Sequence, residues 1–299
     1  MNKRELDSYK KAGEIAVKVR KYVKELIKPG MPLVEIAKNI HDEIEKLGGK
    51  CAFPVNLSID DIAAHNHPLL NDETKAEGLL KVDMGIHVNG FIADTALTLD
   101  LTPDNKYKEL IEASEQALSK ALNLLEKNPD TSLNSIGKII QETIEGKGFS
   151  PIINLSGHSL DEYDIHAGIT IPNYANGNEN NLPDGAYAIE PFATTGEGKI
   201  YEGPPGNIYA VVEMKNTRSP KAKEILEYVW KKYKTLPFSL REIQEKFGNF
   251  ARLSLRELEN TGIVRYYSQL VEKGHGAVSQ AEHSFIKKDG KIIVFTRED

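Results

Sequence analysis

Residues 82–99 read VDMGIHVNGFIADTALTL, two apolar runs that meet at Asn89-Gly90. Asn-Gly between two such runs is the strongest short signal for a two-residue type I′ hairpin. In that register Gly85 faces Asp94, and Asp83 lies two residues before Gly85 on the same face. The two carboxylates are then diagonal neighbours, with Cβ atoms roughly 7 Å apart. The stretch therefore predicts a hairpin that could present both aspartates to one metal pair.

Two aspartates on a hairpin are equally compatible with a face turned to water. His158, Glu190 and Glu282 favour the metal interpretation. His158 lies at the end of an apolar segment, and Glu190 and Glu282 are each predicted to lie inside an apolar strand. An ionised carboxylate in a dry sheet must be paired or bind a metal, and few basic residues lie within these segments. Cys51 is the only cysteine, so a soft thiolate site is excluded, and the oxygen and imidazole donors suit Mn, Fe, Co or Zn.

The chain resembles a known family in five segments. They are FPVNLSIDDIAAH (53–65), VDMGIHVNGFIADTA (82–96), INLSGHSLDEYDIHAGITIPN (153–173), AIEPFATTG (188–196) and SQAEHSFI (279–286). In this order they resemble the signature segments of the methionine aminopeptidases, specifically the type II subclass in its short archaeal-like form. The resemblance covers nearly the whole chain. It implies an α+β pita-bread fold and a dinuclear metal site with Asp83, Asp94, His158, Glu190 and Glu282 as ligands.

The same resemblance implies roles for four further positions. His65 and His166 match the two second-sphere histidines of the family, which orient the substrate or stabilise charge at the reacting amide. Glu190 would relay a proton to the leaving amine while remaining a ligand. The side chain of an initiator methionine would enter an apolar pocket near Phe53, Ile165 and His166. The substrates implied are peptides and nascent chains that begin with methionine, with a small second residue preferred.

Three other histidines are expected to lie outside the site. His67 has no counterpart in the family and is predicted to be a surface residue. His87 shares the face of the two aspartates but lies next to the turn, so we expect it to be peripheral. His283 follows Glu282 directly, and alternation along a strand should point it to the opposite face.

An internal duplication accompanies these motifs. The segment that begins at Pro29 recurs at an offset of 100 residues, with the matched residues Pro129, Leu133, Ile136, Lys138, Ile140, Ile144, Glu145 and Gly148. Each half predicts a long amphipathic helix, a turn that contains proline, and a second helix, at 5–27 and 33–46 and again at 105–127 and 132–146. Because each half supplies part of the ligand set, the metals should lie between the halves, under a pseudo-twofold arrangement.

Residues 216–272 interrupt this pattern. Helices are predicted from Ser219-Pro220 to about Tyr233, from Ser239, and over 250–260, followed by a short strand, which resembles a winged-helix unit. The catalytic domain would then comprise 1–215 and 273–299. From 219 to 273 there are 11 Lys or Arg against 7 Asp or Glu. The basic excess suggests a transient contact with the ribosome as one interpretation, but no basic cluster with interleaved aromatics stands out, so a structural lid is favoured.

Composition limits the binding partners and the cellular compartment that can be expected. The chain has 299 residues and a formal charge of −6, which gives no general signal for nucleic-acid binding. A single cysteine allows no intramolecular disulfide and fits a reducing cytoplasm. No apolar stretch approaches 18 residues, and the charged N-terminus does not resemble a signal peptide, so no membrane span is expected. The family resemblance favours a monomer.

Two alternatives from other classes stay open at this point. The first is a prolidase-like or aminopeptidase P enzyme, which would use the same metals on X-Pro substrates. Such enzymes usually carry an additional N-terminal domain, whereas the first predicted helix begins within the first ten residues. The second is a noncatalytic binding protein of the same fold, as in the proliferation-associated relatives. All five ligand positions hold the expected residue type, which argues against lost metals.

Overall fold

The structure is a computed structural model, and it describes residues 1–298. The helices are α1 (Lys3–Leu26), α2 (Leu33–Lys46), α3 (Lys108–Lys127), α4 (Leu133–Glu145), α5 (Pro220–Tyr233), α6 (Leu240–Phe247) and α7 (Phe250–Asn260). The first strands are β1 (Lys50–Cys51), β2 (Asn56–Ile59), β3 (Ile62–Ala64), β4 (Leu79–Val88), β5 (Phe91–Asp100), β6 (Ser150–Pro151), β7 (Ser156–Leu160) and β8 (Thr170–Pro172). The others are β9 (Gly185–Ile189), β10 (Phe192–Thr194), β11 (Ile200–Val211), β12 (Phe238–Ser239), β13 (Val264–Glu272), β14 (Val278–Gln280), β15 (His283–Lys288) and β16 (Lys291–Val294).

The predicted duplication is confirmed by matching elements. The pairs α1 with α2 and α3 with α4 have the same order and similar lengths, and a two-residue strand follows the second helix of each pair. Gly48 and Gly148, at the same point of each half, have φ of 87° and 84°. This left-handed conformation costs glycine nothing, so the turn after the second helix is chemically encoded in both halves.

The predicted hairpin is confirmed in its register. In the pairing of β4 with β5, Asp83 lies opposite Ala96 and Gly85 opposite Asp94. Asn89 and Gly90 both have positive φ, at 54° and 91°, as a type I′ turn requires. β4 also pairs with β1 and β2, so it is central in the sheet of the first half.

The second half builds a five-stranded sheet in the order β16-β15-β9-β7-β8. His158 lies within β7. The two glutamates depart from the prediction that they lie inside strands. Glu190 lies between β9 and β10, just before Pro191, and Glu282 lies between β14 and β15. Both therefore occupy breaks in the backbone ladder, where a side chain can turn from one sheet toward the other.

Between β11 and β13 the chain forms the three predicted helices α5, α6 and α7. Ser219 caps α5 through its side chain, and Pro220 occupies the first turn, where its missing N–H is harmless. The strand after α7 is longer than predicted, because β13 runs for nine residues and pairs with β11 on one side and β3 on the other. None of the helices in residues 1–298 is long and apolar enough to cross a membrane.

Candidate metal centre

Three predicted ligands meet where the two halves face each other. One side-chain donor atom from each of Asp94, His158 and Glu282 lies within 4.8 Å of the others, and all three side chains are buried. The Nε2 atom of His158 is 3.8 Å from Asp94 Oδ2 and 3.7 Å from Glu190 Oε1. Hairpin β4–β5 and strand β7 thus bring ligands from both halves to one point.

A glutamine side chain connects the remaining carboxylates. Gln280 donates from Nε2 to Asp83 Oδ2 and to Glu190 Oε2, at 3.3 Å in each case. All five predicted ligands line one cavity of about 320 Å³. The structure therefore gathers the complete predicted set around a single space.

The buried carboxylates are short of positive charge. Burial raises the pKa of Asp83 to about 7. The pKa values of Asp94, Glu190 and Glu282 are raised well above the usual range, first by burial and then by neighbouring carboxylates. Four acids packed in this way repel one another when ionised, and divalent cations would remove that cost.

Two carboxylate oxygens without hydrogen-bond partners are also available as metal ligands. Asp83 Oδ1 and Asp94 Oδ1 are buried without a hydrogen-bond partner among residues 1–298. Burial lowers the pKa of His158 to about 3, so its ring is neutral and can offer a lone pair to a metal. Carboxylate oxygens with one neutral imidazole form a donor set suited to a divalent transition metal.

The two predicted second-sphere histidines also line the cavity. The His166 ring lies edge-on to the His158 ring, with 4.6 Å between centroids. Nδ1 of His65 is 3.3 Å from the carbonyl oxygen of Ser268 in β13. Donation from Nδ1 to that carbonyl leaves Nε2 free to accept. Desolvation by the surrounding cleft lowers the pKa of both histidines, that of His65 to about 4.

The backbone at His65 is held in an unusual conformation. Its φ is 63°, in the left-handed region that a residue with a Cβ seldom adopts. The carbonyl oxygen of His65 packs against Gly206 in β11, where an added Cβ would lie 2.0 Å from that oxygen. Strain of this kind persists only where surrounding contacts impose it, and it concentrates at functional sites.

Apolar side chains form the wall beside the carboxylates. Phe53 and Ile165 line the cavity as predicted. The ring of Phe53 occupies the space that Gly85 leaves, because a Cβ there would lie 2.3 Å from a ring carbon. The cavity lining also includes Pro237, Tyr267 and Leu270, from the segment that follows α5 and from β13.

Sequence reasoning missed two contributors to the site. Gln280 contacts two predicted ligands, but it lies in SQAEHSFI, where five of the eight residues are polar, so the sequence did not single it out. Tyr267 lines the cavity and lies edge-on to His65, with ring centroids 5.3 Å apart. No local pattern marks Tyr267, because its position depends on the pairing of β13 with β11.

The prediction for His67 is wrong. This histidine is only 2% exposed, and Nδ1 lies 2.8 Å from the Val55 carbonyl oxygen. The backbone N–H of His67 donates to Gly206 O, and Asn207 donates to His67 O, so β11 covers the segment.

His87 and His283 agree with their predictions. His87 accepts from the Gly90 N–H in the turn, and His283 contacts Thr296 outside the metal cavity.

Burial of His67 predicts acid sensitivity. Burial lowers its pKa from 6.5 to about 3, so the unfolded chain takes up this proton first as pH falls. His67 therefore contributes a loss of stability between about pH 6.5 and pH 3. In the metal-free protein, His67→Asn should make urea-unfolding midpoints less dependent on pH in this window. The same substitution at exposed His275 is the control, and equal pH dependence in the parent and His67→Asn would contradict the prediction.

Comparisons with known proteins bear on the family and the fold. Residues 7–254 match metallopeptidase family M24. A methionine aminopeptidase from Methanocaldococcus jannaschii is 42% identical over 299 residues, which span 98% of this chain and 100% of that protein. Among solved structures, a thermophilic Arx1 superposes with a TM-score of 0.87 at 17% identity, covering 100% of this chain and 92% of that one. A methionine aminopeptidase from Thermotoga maritima gives 0.69 at 20% identity, covering 100% and 98%. At these identities the two structural matches show the pita-bread fold alone.

Proposed function

The chain belongs to metallopeptidase family M24, among its methionine aminopeptidases, and we propose that it removes the initiator methionine from peptides and nascent chains. The observation that carries the proposal is the convergence of the five predicted metal ligands on one cavity with an apolar wall. A preference for a small second residue and a cytoplasmic setting are part of the same proposal.

We propose two divalent cations as the cofactor, held by Asp83, Asp94, His158, Glu190 and Glu282. Four carboxylates would balance the charge of two such ions, and the donor types leave Mn, Fe, Co and Zn open. The chemistry that bound cations supply is activation of a water molecule and polarisation of the peptide carbonyl.

The protein's own groups would then orient the peptide and move protons. Glu190 lies beside both His158 and Gln280, so its carboxylate could pass a proton to the leaving amine. His166 lies next to the ligand His158 and is open to the cleft, which suits hydrogen bonding to the scissile amide. His65 lines the same cavity, with Nε2 free to accept from the peptide backbone.

The apolar wall is proposed to select the methionine side chain. Phe53 and Ile165 are buried beside the carboxylates, and His166 borders the same space. A straight, polarisable thioether fits an apolar slot of this kind well. Cleavage assays on metal-reconstituted protein test the function directly. Release of methionine from Met-Ala-Ser is expected, with no cleavage of an Ala-Pro peptide.

The reverse preference in that assay would favour the prolidase-like alternative. Failure to bind any metal would favour a noncatalytic role. The intact ligand set and the similarity along the whole length of a methionine aminopeptidase support the enzyme over both alternatives.

For the helical insertion, we propose that 216–272 forms a wall of the substrate cleft and not an independent nucleic-acid module. Pro237, Tyr267 and Leu270 line the cavity, which supports this role. The division of the chain into 1–215 with 273–299 and the insertion is part of the proposal. Contact with the ribosome is the competing possibility, raised by the excess of basic residues in this segment.

Charge reversal at the C-terminal end of α5 separates the two possibilities. Lys231, Lys232 and Lys234 are exposed, but Lys232 also pairs with Glu242 at 3.1 Å. The variant therefore reverses only Lys231 and Lys234, which leaves that ion pair intact. Cleavage of tripeptides should stay nearly unchanged, because surface substitutions away from packed features cost little. Co-sedimentation with ribosomes measures the alternative. Salt-sensitive binding by the parent that the double variant loses would overturn the purely structural role.

A further inference from the structure

The two sheets that carry the proposed ligands share no regular backbone ladder at the metal cavity. β5, with Asp94, belongs to the sheet of the first half, whereas β15, which follows Glu282, belongs to the five-stranded sheet. One backbone hydrogen bond joins them here, from Glu282 N to Ala96 O at 3.2 Å. Ligands on separate sheets need some other device to keep their spacing.

Three buried hydroxyl side chains supply further links, and we call Thr95, Thr98 and Ser284 the hydroxyl seam. Ser284 Oγ accepts from Asp94 N and donates to Asp94 O, at 2.8 Å in both cases. Thr98 Oγ1 accepts from Gln280 N at 2.9 Å and donates to Gln280 O at 2.7 Å. Thr95 Oγ1 donates to Glu282 O at 3.0 Å.

Each link ends on a residue of the proposed metal centre. Ser284 fixes the backbone of Asp94, and Thr95 fixes that of Glu282. Thr98 fixes Gln280, whose side chain contacts Asp83 and Glu190. All four carboxylates are therefore connected to the hydroxyl seam through at most one intermediate residue.

Arg20, on α1, also bonds to the hydroxyl seam. From α1 its Nη1 donates to Thr95 Oγ1 and to Ala96 O, at 2.7 Å in both cases. Those two acceptors also bond to the backbone of Glu282. Arg20 lines a separate cavity of about 200 Å³ with Glu115 and His283, so its guanidinium is reachable without passing the metal centre.

We propose that the hydroxyl seam and Arg20 are positioning residues that set the distance between the metal ligands of the two halves. The inference rests on the proposed ligand set. A carboxylate held at the productive spacing before metal arrives loses less conformational freedom on binding, and partners behind metal ligands commonly contribute about 10–100-fold in affinity.

Metal titration of the metal-free protein tests the inference without measuring peptidase activity. Thr95→Val keeps the shape of the side chain and removes the hydroxyl, and Arg20→Met removes the guanidinium while keeping an apolar stem. Isothermal titration calorimetry with Mn²⁺ should show weaker binding in both, by about 10–100-fold. Thr143→Val is the matched control, because its buried hydroxyl bonds only within α4, to Ile139 O at 2.6 Å. It should lower stability without changing metal affinity.

Chemical rescue tests whether the guanidinium of Arg20 acts as a positioning group or whether the side chain only fills space. In Arg20→Ala, millimolar guanidinium should enter the separate cavity and restore much of the Mn²⁺ affinity. Unchanged affinity in Thr95→Val and Arg20→Met, with the parent binding normally, would overturn the inference and leave the proposed function intact. Absence of rescue would show that Arg20 is not one of the positioning residues. A parent that binds no Mn²⁺ would instead refute the ligand set itself.

Discussion

Asp94→Ala is expected to abolish peptidase activity and to lower the bound metal below two ions per chain. The Asp94 side chain lies among His158 and Glu282, and its Oδ1 atom is buried without a partner. Removal of this carboxylate takes one donor from the group that converges from both halves. Metal analysis after reconstitution, together with cleavage of Met-Ala-Ser, measures both losses.

The fold should survive this substitution when metal is absent. Burial and the neighbouring carboxylates of Asp83 and Glu190 raise the pKa of Asp94, so its ionised form is unfavourable in the metal-free protein. Removal of that group relieves repulsion and offsets part of the cost of the cavity left behind. The helical circular dichroism of metal-free Asp94→Ala should therefore match that of the parent.

A buried acid elsewhere provides the control for Asp94. Glu272 is fully buried and accepts from the backbone N–H groups of Gly198, Gly274 and Gly276 at 2.7–3.0 Å. Glu272→Gln should lower stability and leave the metal content unchanged. An Asp94→Ala protein that kept two metals and full turnover would exclude Asp94 from the centre.

His166→Ala is expected to lower kcat by about 10²–10⁴-fold while bound metal changes little. His166 lies against the ligand His158 but is not one of the three side chains whose donor atoms converge. It is open to the cleft, where a substrate amide would lie. Steady-state kinetics and metal analysis of the same preparation measure the two effects separately.

The comparison variant for His166 is His275→Ala. His275 is exposed and contacts Asp61 away from the metal cavity, so both kcat and metal content should resemble those of the parent. Loss of metal from His166→Ala in proportion to the loss of activity would make His166 a ligand. Loss of affinity for substrate alone, with kcat unchanged, would restrict it to peptide binding.

The hydroxyl seam shows why a complete ligand set does not by itself make a good site. Asp94 and Ser284 are 190 positions apart in the chain, and their two hydrogen bonds join different sheets. Gln280 likewise joins Asp83 and Glu190, because its side chain donates to both carboxylates. Preorganisation of this kind gives metal affinity without adding a ligand.

The sequence by itself determined the hairpin, its register and the two paired helices of each half. These features depend on local chemistry: Asn89-Gly90 favours positive φ, alternation fixes the faces of β4 and β5, and apolar spacing marks the helices. Helices α2 and α7 have the predicted bounds, and α1 differs by two residues or fewer at each end. His158, Glu190 and Glu282 were candidates because of their apolar segments, but only the family resemblance joined them with the two aspartates into one ligand set, because no local rule connects His158 to Glu282.

Only the tertiary structure decided which polar groups would be buried and paired. His67 was predicted to be a surface residue, but β11 buries it in the structure. The exposed Lys232 is paired with Glu242. The contacts of Thr95 with Arg20 and Glu282 likewise depend on α1, β5 and the strand break meeting in space. The physical reason is that turn geometry and side-chain period act within a few residues, whereas desolvation and hydrogen-bond pairing depend on the neighbours that the whole fold supplies.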